Sequence, residues 1–167
     1  MPKLAKRMFR RVDTKQTVWN TCYHEAGHAV AALRLGLGIV GGTKIRTHDP
    51  GTRRYGGRIF LPGCVTAMKA EPKEYAAIFL TAGAVAEEHY NKYADSCRLS
   101  LDQENFRLVM QVEGTEFMKL WDDYSRFQTR SFITQNWAAV SALARAFIRQ
   151  KHHTLSKKQI IKVIGVS

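Results

Sequence analysis

The sequence predicts a mainly α domain with one small β hairpin, and three observations carry that expectation. Apolar residues recur at three- and four-residue intervals through several long stretches, the period of a helix with a buried face. Only residues 43–47 and 58–61 have β character, and a turn-rich loop with Asp49, Pro50, Gly51, Gly56 and Gly57 separates them. The chain's 167 residues and 45% hydrophobic content suit a single domain able to bury its own core. The expected division is a basic arm over residues 1–12 and one domain over residues 13–167.

The first helix is expected from Asp13 or Thr14, either of which can cap it, to Leu35. Val18, Cys22, Ala26, Ala29, Val30, Leu33 and Leu37 form its apolar stripe, and Gly36 and Gly38 supply the stop. The hairpin then lies between this helix and the next. Its edge could take an extended peptide as an added strand, which makes Gly57, Arg58, Ile59 and Phe60 candidates for substrate binding. Pro72 suits the first turn of a helix, which continues through Tyr75, Ile78, Phe79, Ala82 and Val85 to about Tyr90. After a loop, Ser100 and Gln103 have capping-box spacing for a helix through Phe106 and Val109. Trp137, Val140, Leu143, Ala144, Phe147 and Ile148 mark an amphipathic helix. Thr154 or Ser156 caps a short last one through Ile160, Ile161 and Val163.

Composition removes several function classes. No apolar run approaches the length of a membrane span, and no apolar signal core follows the basic N-terminus, so a cytoplasmic protein without an integral membrane segment is expected. A phosphate-binding loop of the G-x-x-x-x-G-K-[ST] type is absent, so no use of ATP is expected. Cys22, Cys64 and Cys97 have no paired spacing and read as free thiols. The net charge of +12 favours anionic partners, yet the aromatic and glycine pattern of a known nucleic-acid fold is missing.

Chemistry concentrates in His24-Glu25-Ala26-Gly27-His28, an H-E-x-x-H motif in the middle of the first helix. Two imidazoles four residues apart share a helix face and can ligate one metal ion. Zinc (Zn2+) is the expected cofactor, with Glu25 as general base toward water. A catalytic zinc needs a third protein ligand. Asp49, Glu87, Glu88, Asp95, Asp102, Glu104, His48 and His89 are the candidates. Glu87 and Glu88 follow a small-residue run, Ala82-Gly83-Ala84, that would let their helix approach the motif closely. One of them could then accept a hydrogen bond from a ligating imidazole. The plain alternative for both is a solvated charge at a helix end.

Several blocks together resemble the peptidase domain of FtsH-type zinc metallopeptidases. Residues 23–30 read Y-H-E-A-G-H-A-V, like that family's active-site helix. Residues 57–62, G-R-I-F-L-P, resemble its strand ending in Leu-Pro, and residues 82–88, A-G-A-V-A-E-E, resemble its A-G-x-x-A-E-E helix. Residues 137–164 look like its closing helices. The resemblance implies Asp102 as the third ligand, although C-R-L-S-L-D over residues 97–102 stands where the family has S-T-G-A-x-x-D. It further implies a zinc endopeptidase. Without a motor domain or membrane anchor, the expected activity is stand-alone and ATP-independent, on flexible or unfolded polypeptide. The alternative is a zinc-stabilised binding or regulatory protein whose basic surface holds an acidic partner or nucleic acid.

Overall fold

The computed structural model describes residues 14–39, 43–46, 56–59, 73–92, 100–150 and 153–165. The expected basic arm, Phe60, His48, Asp49, Asp95, Cys64 and Cys97 lie outside them. The architecture is mainly α with a small β element, as the periodicity implies.

Helix α1 (Thr14–Arg34) is the central element. Residues 21–32 are buried without interruption, so this helix is enclosed on all sides rather than along one stripe. Gly36 and Gly38, both at φ +73°, end it through left-handed backbone that other residues adopt only with strain. Strands β1 (Thr43–Arg46) and β2 (Gly56–Ile59) pair antiparallel. Thr43 lies opposite Ile59 and Arg46 opposite Gly56, so the second strand begins two residues earlier than the sequence suggested. A two-residue strand β3 (Thr154–Leu155) occupies the other edge of β1 and gives the order β2-β1-β3. The expected hairpin is thus part of a three-stranded sheet.

Helix α2 (Lys73–Tyr90) makes the most extensive packing against α1. Its crossing depends on glycine. A Cβ on Gly27 would lie 2.4 Å from the Ala82 carbonyl oxygen and 2.7 Å from Ala86 Cβ, far inside van der Waals contact, so any larger residue would force the helices apart. Helices α3 (Ser100–Met110) and α4 (Gly114–Asp123) follow. A π-helical segment, Tyr124–Gln128, joins α4 to α5 (Thr129–Gln135). Helix α6 (Trp137–Arg149) packs on α1 and buries Val140, Leu143, Ala144 and Phe147. The last helix, α7 (Lys157–Ile164), starts at a capping box in which Ser156 and Gln159 satisfy each other's backbone N–H, and stops at Gly165.

One core joins all these helices. Phe106 meets Trp121 edge to face, with ring centroids 5.3 Å apart, which anchors α3 on α4. Tyr23, next to His24 on α1, stacks on Tyr90 at 4.0 Å and on Trp137 at 5.2 Å, tying α1 to α2 and α6.

Candidate metal centre

Burial makes the motif informative. His24, Glu25 and His28 are at most 9% exposed, inside a helix whose other buried residues include Cys22, Ala26, Ala29, Val30, Ala31 and Ala32. Polar groups are held in such a place only when something satisfies them. Helical spacing brings both imidazoles to the side of α1 that faces α2 and α3. There the Nε2 atoms of His24 and His28 lie 3.2 Å apart. Asp102 Oδ2, from the first turn of α3, completes a triangle at 3.2 Å from His24 Nε2 and 3.4 Å from His28 Nε2.

The partners on the far side of each ring decide what this triangle presents. His28 Nδ1 lies 2.8 Å from the Phe79 carbonyl oxygen. A carbonyl only accepts, so Nδ1 carries the hydrogen and Nε2 is the ring atom turned into the triangle. Glu87 Oε2 lies 3.3 Å from His24 Nδ1, short of a full hydrogen bond. Its negative charge still favours a hydrogen there. Three electron-rich atoms therefore converge on one small volume, an arrangement that repels itself unless a proton or a cation sits among them.

Without a cation, a proton on His24 meets that need. Burial by itself would depress His24, but the carboxylates of Asp102 and Glu87 beside it, with the charge of Glu25, outweigh burial and push its pKa up to about 10. Burial would raise Asp102. The positive charge of His28 and hydrogen bonds from both imidazoles instead hold its carboxyl well below the usual carboxylate range. Cys22, on the same helix, is pushed up to about 12 by burial and by the charge of Glu25.

The dimensions suit a metal ion. A tetrahedral ion with bonds of about 2.0–2.1 Å holds its ligand atoms roughly 3.3–3.4 Å apart. The observed 3.2, 3.2 and 3.4 Å are close to three edges of that figure. Gly83 leaves the room: a Cβ there would lie 2.3 Å from His28 Nε2 and 2.7 Å from His24 Nε2. His24, His28 and Asp102 are the group able to hold a metal ion among the described residues.

The other candidates fall elsewhere. Glu87 faces His24, whereas the adjacent Glu88 points outward to Arg130 at 3.5 Å. Neighbouring helix positions diverge by roughly 100°, so only one of the two can reach the ring. Glu104 is exposed and paired with Arg107, and His89 is exposed and packs on Trp137. Gly57, Arg58 and Ile59 form most of β2, which pairs with β1 on one side and with no described strand on the other. Sequence reasoning missed the Phe79 carbonyl, because backbone acceptors leave no trace in residue identity.

The chain matches no protein-family model and no curated protein. No helix of the described residues is long and apolar enough to cross a membrane.

Proposed function

We propose that the protein is a zinc metalloendopeptidase that cuts flexible or unfolded polypeptide without ATP. The observation that carries this reading is the triangle of His24 Nε2, His28 Nε2 and Asp102 Oδ2 with the buried Glu25 on the same helix. His24, His28 and Asp102 would hold the ion with three protein ligands, the number found in catalytic rather than structural zinc sites. Zinc bound there would supply a Lewis acid for water and for the scissile carbonyl.

The chain's own groups do the remainder. Phe79 O fixes the tautomer of His28, and Glu87 favours the matching tautomer of His24, so both rings keep their orientation. Glu25 is close enough for its charge to act on His24 and Cys22. From there it takes a proton from the attacking water and passes it to the leaving amine. A structural site has no use for such a base. Strands β1 and β2 lie against α1, so a peptide added along the outer edge of Gly56–Ile59 would run beside the metal helix. Only an extended, loose chain can pair with a strand edge, which favours unfolded over folded substrates.

Casein cleavage tests the reading. Zinc-loaded protein should cut casein, and a chelator should stop it. The Glu25→Gln variant should keep its zinc and lose on the order of 10²–10⁴-fold in rate. Full activity in that variant would remove Glu25 from the mechanism.

A further inference from the structure

We infer that Thr129 is a positioning residue for the metal centre, holding α2 against the histidines through a buried hydrogen bond to Thr81. The inference rests on the metal-binding reading above and adds a residue that touches none of the ligands.

The geometry begins with α2. Phe79 and Gly83, one helical turn apart, both face α1: the Phe79 carbonyl oxygen holds His28 Nδ1, and the Gly83 backbone lies against both Nε2 atoms. Thr81 sits between them in sequence and points about 200° away, to the opposite side of the helix. Its hydroxyl donates to the Ala77 carbonyl oxygen at 2.9 Å. With that hydrogen committed, Thr81 Oγ1 accepts from the Thr129 hydroxyl at 2.6 Å. Both threonines are fully buried. A short, dry hydrogen bond thus braces the back of the helix segment whose front orients the imidazoles.

The π-helical segment is what puts Thr129 there. The N–H of Thr129 bonds to the Tyr124 carbonyl oxygen, five residues back. Tyr124 and Thr129 are both buried, although an uninterrupted α-helix would turn Gln128 inward four residues after Tyr124. Gln128 is exposed instead. The one-residue insertion rotates the following turn so that a small hydroxyl meets Thr81, and α5 then continues normally to the buried Ile133. Such wide turns carry poorer backbone geometry than an α-helix and cluster at functional sites. Here the wide turn supplies the brace.

Cobalt(II) is the probe, read by competition with a chelator and by its visible absorption bands. Thr129→Val keeps the shape and removes the donor. It should bind Co2+ on the order of tenfold more weakly than wild type, the lower end of what loss of a supporting hydrogen bond produces, with shifted bands. Thr81→Val, which removes the acceptor, should do the same, and Thr129→Ser should restore both affinity and spectrum. Ile133→Val, a buried change one turn further along α5, should lower stability and leave affinity and bands unchanged. Wild-type affinity and spectrum in Thr129→Val would overturn the inference, as would an equal loss in Ile133→Val, which would mean general loosening. Failure of wild-type protein to bind Co2+ would overturn the metal centre itself, and this inference with it.

Discussion

Replacing Gly83 by alanine should expel the metal, and the structure sets the size of the effect. Ordinary contact between a carbon and a ring nitrogen needs about 3.4 Å. The added Cβ would start 2.3 Å from His28 Nε2 and 2.7 Å from His24 Nε2. One ring must therefore move by roughly 1 Å, or α2 must retreat by as much. Retreat is opposed by the packing of α2 against α1 on one side and α5 on the other. Metal–ligand bonds tolerate about 0.2 Å, so an imidazole would leave the coordination shell. We expect metal affinity to fall on the order of 100-fold or more. The sign of the stability change is equally diagnostic. Glycine to alanine inside a helix ordinarily stabilises by about 1 kcal/mol, whereas the clash should destabilise the metal-free protein by about 1–3 kcal/mol. Chelator competition measures the first effect and urea unfolding in excess chelator the second. A Gly83→Ala variant that binds zinc as wild type, or that unfolds at higher urea, would refute the placement of the imidazoles against α2.

Three further outcomes follow from the same contacts. His24 has its pKa raised to about 10 in the metal-free protein, so the stability this proton confers is fully present below about pH 6.5 and is lost as pH rises toward 10. Zinc must displace it, and affinity should rise up to about tenfold per pH unit across that window, with proton release seen as buffer-dependent heat in calorimetry. The Cys22 thiol, pushed up to about 12 and fully buried, should resist thiol reagents at pH 8 until the protein is unfolded; rapid labelling of that residue in the folded state would contradict the packing of α1. Arg145, Arg149, Lys157, Lys158 and Lys162 are exposed and make no ion pair with the described residues, so duplex DNA should bind weakly at low salt. If about six phosphates are contacted, affinity should fall roughly 10³-fold between 50 and 200 mM salt. Tight binding that survives 200 mM would favour the nucleic-acid alternative over peptide hydrolysis.

How much of this was legible in the sequence differs element by element, for physical reasons. The two histidines were plain, because i, i+4 spacing on a helix fixes their relation without tertiary information. The close approach of α2 was visible in Ala82-Gly83-Ala84, since small residues signal where backbones meet. Asp102 was not separable from seven other candidates by local pattern, as it arrives from a different helix after an irregular loop; only the family resemblance singled it out. Strand β3 has two residues and owes its form entirely to β1, so no local preference announces it. The π turn escaped for a related reason: a five-residue step from Tyr124 to Thr129 breaks the period on which helix reading depends.

The central claim is that His24, His28 and Asp102 hold one zinc ion for peptide hydrolysis. Its most direct test is the metal content of wild-type protein and of Asp102→Ala after equilibration with limiting zinc, with casein cleavage measured on the same samples. Wild-type protein should hold one zinc per chain with cleavage that tracks it, and Asp102→Ala should lose both. Zinc retained at full occupancy in Asp102→Ala, or a zinc-loaded wild type that leaves casein intact, would contradict it.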